Sequence, residues 1–360
     1  MSILHVVYQA NEKVIKWAKD VQRKRKDKSD ISALMSGGGK YKLTNDVKHE
    51  IAEFWKPYGK TDPIYQQYYF EKNDIFDVKY LPDDLYYTRI QYFYNNISAA
   101  YIVDHKAYYE TLFPDIRHPQ TIAKRLNGYW IIGNKCVPIE DVVELICNET
   151  IAFVKPATGS CGGAGITVLE GQELSEQAFY KAVKPIRGDI VVQKRVEQCD
   201  ELKNIHESSV NTLRIMSLID KNGEVIILSR SLRMGTGKSR LDNAHSGGIS
   251  IGIYEDGRLK DFALTLDGKR FYEHPDSGVK FSSIVLPGIQ MVEEAVKKCA
   301  LRVPAFRIVA WDVILDQDRY PLLIEANLFN AGMHVPQLNN GPLFGERTEE
   351  LLNEAFERKD

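Results

Sequence analysis

Three oxygen-bearing side chains near the C-terminus have the types and spacing of a cation site. Asp312 lies within an apolar run, Ile308-Val309-Ala310-Trp311-Asp312-Val313-Ile314-Leu315, and thirteen residues later comes Leu322-Leu323-Ile324-Glu325-Ala326-Asn327. The intervening Asp318-Arg319 reads as a hairpin turn, which would set Asp312 beside Glu325. Side chains alternate along a strand, so Glu325 and Asn327 share a face. Hard oxygen donors in twos and threes suit magnesium, which often sits between carboxylates and substrate phosphates. A solvated strand face with two chance acids is the alternative, but flanks this apolar make an unpaired acid costly.

A second group suits phosphate. In Phe153-Val154-Lys155-Pro156-Ala157-Thr158-Gly159-Ser160-Cys161-Gly162-Gly163-Ala164-Gly165 a strand ends on lysine and enters a glycine-rich turn. Glycines let backbone N–H groups approach phosphate oxygens, and the ammonium adds a point charge. Alone, the same string also fits a structural hairpin. Asp189-Ile190-Val191-Val192-Gln193-Lys194-Arg195-Val196 is a strand running into a polar linker, able to border a flat base or to form an ordinary edge strand. Arg214 and Arg233 lie near strand-like segments, and planar guanidinium forks suit phosphate or carboxylate. Asp242, Asn243 and His245 follow in a polar loop. The Ser36-Gly37-Gly38-Gly39-Lys40 string lacks the phosphate-loop spacing and a preceding apolar strand, and reads as a linker.

The elements that must position these groups are mixed. Ala100–Val103, Ile151–Val154, Ile190–Gln193, Leu213–Ile219, Val225–Ser229, Ile249–Ile253, Ile308–Leu315 and Pro321–Glu325 read as strands. Val14–Val21, Asn45–Trp55 and Leu286–Leu301 have helical spacing. Strands without strict alternation with helices indicate an α+β architecture. At 360 residues, two or three packed units are expected. We divide the chain into a helix-rich region 1–100, a subdomain 101–190 with the glycine-rich loop, a subdomain 191–345 with the metal site, and a C-terminal helix or tail 346–360. Tyr65, Tyr68, Tyr69, Tyr86 and Tyr87 in the first region read as helix packing before sugar stacking.

Composition narrows the class. With 44% hydrophobic and 27% charged residues, the chain is an ordinary globular one. A formal net charge of −2 argues against nucleic acid as a partner. The one basic run, Lys19 to Lys28, reads as a solvated helix end. No stretch is apolar enough for a membrane span, and five scattered cysteines without a CxxC pair point to reduced thiols and a cytoplasmic setting.

Taken in order, these pieces resemble the ATP-grasp superfamily. The strings SVNTLRI, LRMGTGKSRLDNAHSGG and AWDVILD…YPLLIEANLFNAG, with DHKAYYETLFPDIRHPQTIAK upstream, resemble its sugar-transfer-associated family, linked to surface polysaccharide synthesis. The resemblance runs from about Ile102 to Phe344. It implies an ATP-grasp fold in which two α+β subdomains grip ATP, with one or two Mg2+ (Mn2+ as a substitute). By position it implies Lys106 and Lys155 on the phosphates, with Lys124 as fallback for Lys106. Ser160, Gly162, Gly163 and Gly165 would lie over the phosphates, with Gln193, Lys194 and Val196 bordering adenine and Asp200 near the ribose. Asp312, Glu325 and Asn327 would hold metal, and Arg214 and Arg233 would neutralise the transferring phosphoryl group. His245 or the Asp242–Asn243 pair would orient the acceptor. D-Alanine–D-alanine ligases carry an arginine two residues before the metal Asp, where this chain has Ala310. The resemblance implies a carboxylate–amine ligase acting on small-molecule or glycan substrates, with a kinase as the rival outcome. The sequence does not specify the oligomeric state, a homodimer being one option.

Overall fold

The computed structural model describes residues 3–35, 42–159, 165–237 and 247–357, with the side chains of residues 3–13 and 357 left aside. Ser160, Gly162, Gly163, Asp242, Asn243, His245 and the Ser36–Lys40 string lie outside the described residues. The chain divides into two compact units: residues 1–96, 266–269 and 332–360, and residues 97–265 and 270–331.

The first unit is helical. Its longer helices are α1 (Ile3–Met35), α2 (Asn45–Trp55) and α3 (Ile64–Asn73). Helix α2 starts where its spacing predicts, because the Thr44 hydroxyl accepts from the Val47 N–H and caps the first turn. Tyr65, Tyr68, Tyr69 and Tyr86 are fully buried, and Tyr69 stacks on Tyr80 at 4.6 Å between ring centroids. The Tyr68 hydroxyl donates to the Leu266 carbonyl at 2.7 Å, and Trp55 Nε1 donates to Val78 O at 2.8 Å. The tyrosines of this region thus build its core. Two buried carboxylates are paired there: Asp83 with His334 at 2.5 Å, and Asp27 with the half-buried Arg23 at 2.7 Å.

The second unit holds two antiparallel sheets, as the α+β expectation requires. The first comprises β1 (Thr121–Leu126), β2 (Tyr129–Ile132), β3 (Lys135–Val137), β4 (Ile151–Pro156), β5 (Thr167–Glu170) and β6 (Ile190–Lys194), ordered β3-β2-β1-β6-β4-β5. The second comprises β7 (Thr212–Ile219), β8 (Val225–Met234), β9 (Ile249–Gly252), β10 (Ala263–Leu264), β11 (Arg270–Phe271), β12 (Ile308–Leu315) and β13 (Pro321–Asn327), ordered β11-β10-β9-β8-β7-β12-β13. Helices Ile139–Cys147 and Glu176–Val183 cover the core of the first sheet through Val142, Ile146 and Phe179. Helix Ile289–Arg302 does the same for the second through Val292, Val296 and Cys299.

One expected strand is a helix. Ala100–Val103 forms a helical turn closed by the Asp104 N–H on the Ala100 carbonyl at 2.8 Å. A four-residue apolar run does not distinguish strand from helix by itself. Here Tyr101 and Ile102 are exposed and, among the described residues, no strand pairs with the segment.

Candidate active site

The site grows from the pairings at the β8-β7-β12-β13 end of the second sheet. In the β12–β13 hairpin Asp312 lies opposite Glu325 and Ala310 opposite Asn327. Val313 lies opposite Leu323, so Ile324 is an extra residue, a bulge. The bulge resets the alternation of β13. Leu323 and Ala326 face the core, while Glu325 and Asn327 turn to the face that carries Asp312. On the other side Asp312 lies opposite Arg214 of β7, and Thr212 of β7 lies opposite Arg233 of β8. Period-two alternation over three neighbouring strands therefore gathers Asp312, Arg214 and Arg233 on one surface.

Contacts bind them tightly. Arg214 grips Asp312 with two donors, Nε to Oδ1 at 2.5 Å and Nη2 to Oδ2 at 2.9 Å. Arg233 Nη1 lies 3.3 Å from Oδ2, and Asn327 Nδ2 donates to the same oxygen at 3.3 Å. Asp312 is buried, which raises its carboxyl pKa; the two guanidinium charges outweigh this and hold it below the ordinary value.

Two lysines, one on the first sheet and one in a short turn beside it, face the same place. The Lys106 ammonium donates to Glu325 Oε1 at 2.7 Å and is itself buried. The Lys106 N–H donates to the Ala157 carbonyl at 2.9 Å, tying it to the end of β4. On β4, burial of the Lys155 ammonium and the neighbouring Lys106 charge push its pKa down to about 8, with Glu325 opposing the shift. Among the described residues the Lys155 ammonium has no hydrogen-bond or ion-pair partner. The fallback, Lys124, is engaged elsewhere: it donates to Ala107 O at 2.7 Å.

Four cationic side chains thus converge on two carboxylates. Such an excess in a half-buried setting is complementary to a polyanion, with a hard divalent cation compensating the acids. The donor set fits magnesium: Asp312, Glu325 and Asn327 offer oxygens from adjacent strands, and nitrogen or sulfur donors are not part of the set.

The remaining candidates divide. Gln193 is buried on β6 between Thr121 and Phe153, and its Nε2 donates to Thr121 Oγ1 at 3.4 Å. Lys194 pairs with Glu149 at 2.9 Å, and Val196 is half-buried in the segment after β6. Asp200 opens the short helix Asp200–Lys203, exposed, with no hydrogen bond or ion pair to another candidate among the described residues. Gly165 has φ +79 at the far end of the loop, and a Cβ there would lie 3.0 Å from Pro156 Cγ.

Three neighbours of Lys106 escaped the residue-by-residue reading, although they lie in the DHKAYY string. Burial raises the pKa of Asp104, with Lys106 lowering it and Glu325 raising it. His105 Nε2 contacts Asp189 Oδ2 at 2.9 Å, while its buried Nδ1 has no partner. The Tyr109 hydroxyl accepts from the Ala326 N–H at 3.2 Å, holding β13 between Glu325 and Asn327. Their adjacency to Lys106 was the available signal.

Among solved structures the chain is similar to the biotin carboxylase domain of 2-oxoglutarate carboxylase from Hydrogenobacter thermophilus. The identity is 17%, over 73% of this chain and 47% of that one, with a TM-score of 0.43. It is also similar to the VanG D-Ala:D-Ser ligase from Enterococcus faecalis, at 15% identity over 71% of this chain and 61% of that one, TM-score 0.42. A third similarity is to the D-alanine-D-alanine ligase from Coxiella burnetii, at 12% identity over 73% and 60%, TM-score 0.42. The chain spans less than two thirds of the length of each. No curated protein matches it in sequence. The family model described as sugar-transfer associated ATP-grasp matches residues 86–352, well over half of the sequence, and the chain belongs to that family.

Proposed function

We propose that the chain is an ATP- and Mg2+-dependent carboxylate–amine ligase. The observation that carries the reading is the convergence of Lys106, Lys155, Arg214 and Arg233 on Asp312 and Glu325. A triphosphate is the polyanion that an ATP-grasp site takes.

Lys155 and Lys106 bind phosphate oxygens, with the glycine-rich segment ending at Gly165 above them. Gln193, Lys194 and Val196 border the adenine, and Asp200 is the candidate for the ribose. Asp312, Glu325 and Asn327 would hold one or two Mg2+, which supply Lewis-acid compensation of phosphate charge when bound. A carboxylate oxygen of the first substrate attacks the γ-phosphorus, the bond to the bridging oxygen breaks, and ADP leaves. The amine nitrogen of the second substrate then attacks the acyl carbon; phosphate departs and the nitrogen loses a proton. Arg214 and Arg233 neutralise the charge that spreads over the transferring group, and Asp242 and Asn243 orient the acceptor. No protein nucleophile is required, because positioning and electrostatics supply the rate. The family description supports a sugar acid or an amino-acid unit of a surface polysaccharide as substrate.

The test is stoichiometric. ADP and phosphate should appear only with both a carboxylate and an amine present, and hydroxylamine should trap the activated carboxylate as a hydroxamate. Glu325→Gln should abolish turnover. AMP release overturns the reading. A second reading, a kinase that phosphorylates a hydroxyl, is favoured by Ala310, which replaces the arginine that ligases of the D-alanine type place before the metal Asp. A stable phosphorylated product with no hydroxamate would establish it.

A further inference from the structure

Residues 14–21 of α1 present an apolar stripe away from the unit they belong to. Val14, Trp17, Ala18 and Val21 follow i, i+3, i+4, i+7 spacing and share one helix face. Val14 is 62% exposed and Trp17 67%, and Ala18 is exposed beside them. Ile15, on the flank, is 54% exposed. The opposite face is the one that packs. Lys16 lies over the Tyr92 ring at 5.2 Å, and Arg23 over the Tyr87 ring at 3.9 Å. Asp27 and Ile31 continue that face into the buried interior. An amphipathic helix normally turns its apolar side inward; here the cation–π contacts face inward, and a tryptophan faces water.

The charge around the stripe is mostly positive. Residues 14–26 carry six basic side chains, Lys16, Lys19, Arg23, Lys24, Arg25 and Lys26, against the acid Asp20, and the next two acids, Asp27 and Asp30, pair with Arg23 and Lys26. With 3.6 residues per turn, Arg25 continues the stripe and Lys24 flanks it, while Lys19 and Lys26 lie further round, toward the face of Arg23. Their alkyl stems can follow the helix into an interface while the charges stay at headgroup level. A second copy of the helix would bring these like charges together, so self-pairing is disfavoured. No helix among the described residues is long and apolar enough to cross a membrane. An apolar stripe bearing tryptophan, with lysine and arginine beside it and at its end, is the pattern of a helix that lies in the plane of a bilayer surface.

We propose that residues 14–26 of α1 form a docking face for an anionic lipid bilayer. Apolar residues enter the acyl boundary and the flanking cations meet acidic headgroups. This holds whether or not the nucleotide site makes amides, since none of these residues belongs to that site.

The full chain should sediment with vesicles of phosphatidylcholine containing one-third phosphatidylserine, and not with phosphatidylcholine alone. Raised salt should release it. Trp55, Trp130 and Trp311 are buried, so a lipid-induced blue shift of tryptophan emission comes from Trp17. The double variant Ile15→Ser/Trp17→Ser should weaken vesicle binding at least about tenfold. The triple variant Lys19→Glu/Lys24→Glu/Arg25→Glu should do the same while both retain helical circular dichroism and ATP turnover. Equal binding to both vesicles, no binding to either, or variants that bind like the parent would overturn the proposal. So would a lipid-free dimer in which Trp17 emission is already blue-shifted and insensitive to vesicles.

Discussion

At the scale of single residues, the charge state of Lys155 is the most informative quantity. A lysine whose pKa is pushed down to about 8 by burial and by Lys106 is an ammonium below that pH and neutral above it. Nucleotide affinity should therefore weaken as pH rises from 7 to 9, as read by titration calorimetry. The guanidinium of Lys155→Arg stays charged throughout this range, so that variant should lose the pH dependence even if its affinity at pH 7 is lower. A slope unchanged in the arginine variant would place the titrating group elsewhere. The residue types at this site were legible in the sequence because each is a chemical anomaly in its surroundings. Asp312 interrupts an unbroken apolar run, and Lys155 closes one. Their partners were less legible. The sequence suggests Arg214 and Arg233 as clamps for a substrate group, whereas in the structure both also hold Asp312. Sequence spacing cannot show that acid and base share a sheet face when ninety-eight residues separate Arg214 from Asp312.

Elements show where pattern-reading works and where it stops. The β12–β13 hairpin could be drawn from a turn signal and alternation, and Asp312 does lie opposite Glu325. The bulge at Ile324 could not, because the apolar string Leu322-Leu323-Ile324 carries no mark of the residue left unpaired. Strand β8 runs to Met234, beyond the Ser229 limit of the sequence reading. Arg230 and Arg233 look like the polar end of a strand, yet they belong to a central one whose face holds the site. The hairpin β1–β2 left a signal that was passed over: Asn127-Gly128, both with positive φ, form the tight turn between the strands. Gly165 gives the element-scale prediction. With φ +79 and Pro156 Cγ only 3.0 Å from where a methyl carbon would stand, Gly165→Ala should shift the connection between β4 and β5. We expect nucleotide affinity to fall about tenfold, while a strain confined to a loop costs only about 1–3 kcal/mol. Calorimetry and thermal melts on the same variant separate the two; an affinity equal to the parent's would remove Gly165 from the phosphate site.

Over the whole molecule, buried charge sets the response to pH. Asp83 raises the pKa of His334 despite burial, so that pair contributes fully below about pH 6.5 and its contribution is lost as pH rises through the folded value. Burial pushes Asp84 up to about 6, against the hydrogen bond from Thr61. The fold thus prefers its protonated form, and this contribution also disappears as pH climbs through about 6. Both shifts act in one direction, making the helical unit weaker at pH 8 than at pH 6. Asp84→Asn should raise stability at pH 8 by about 1–3 kcal/mol, and the gain should vanish below pH 4. Chemical denaturation at the three pH values reads the difference; a gain independent of pH would mean that packing, not ionisation, is responsible. The triad of Arg214, Arg233 and Asp312 has a consequence of its own. Asp312→Ala takes a shared counter-charge from two nearly buried guanidinium groups, a loss of about 3–5 kcal/mol when one member of such a set is removed. The vacancy has the charge and size of a small carboxylate. Formate or acetate added to that variant should restore its melting temperature while leaving the parent almost unmoved, which turns a dead enzyme into a sensor for the anion its arginines were left without.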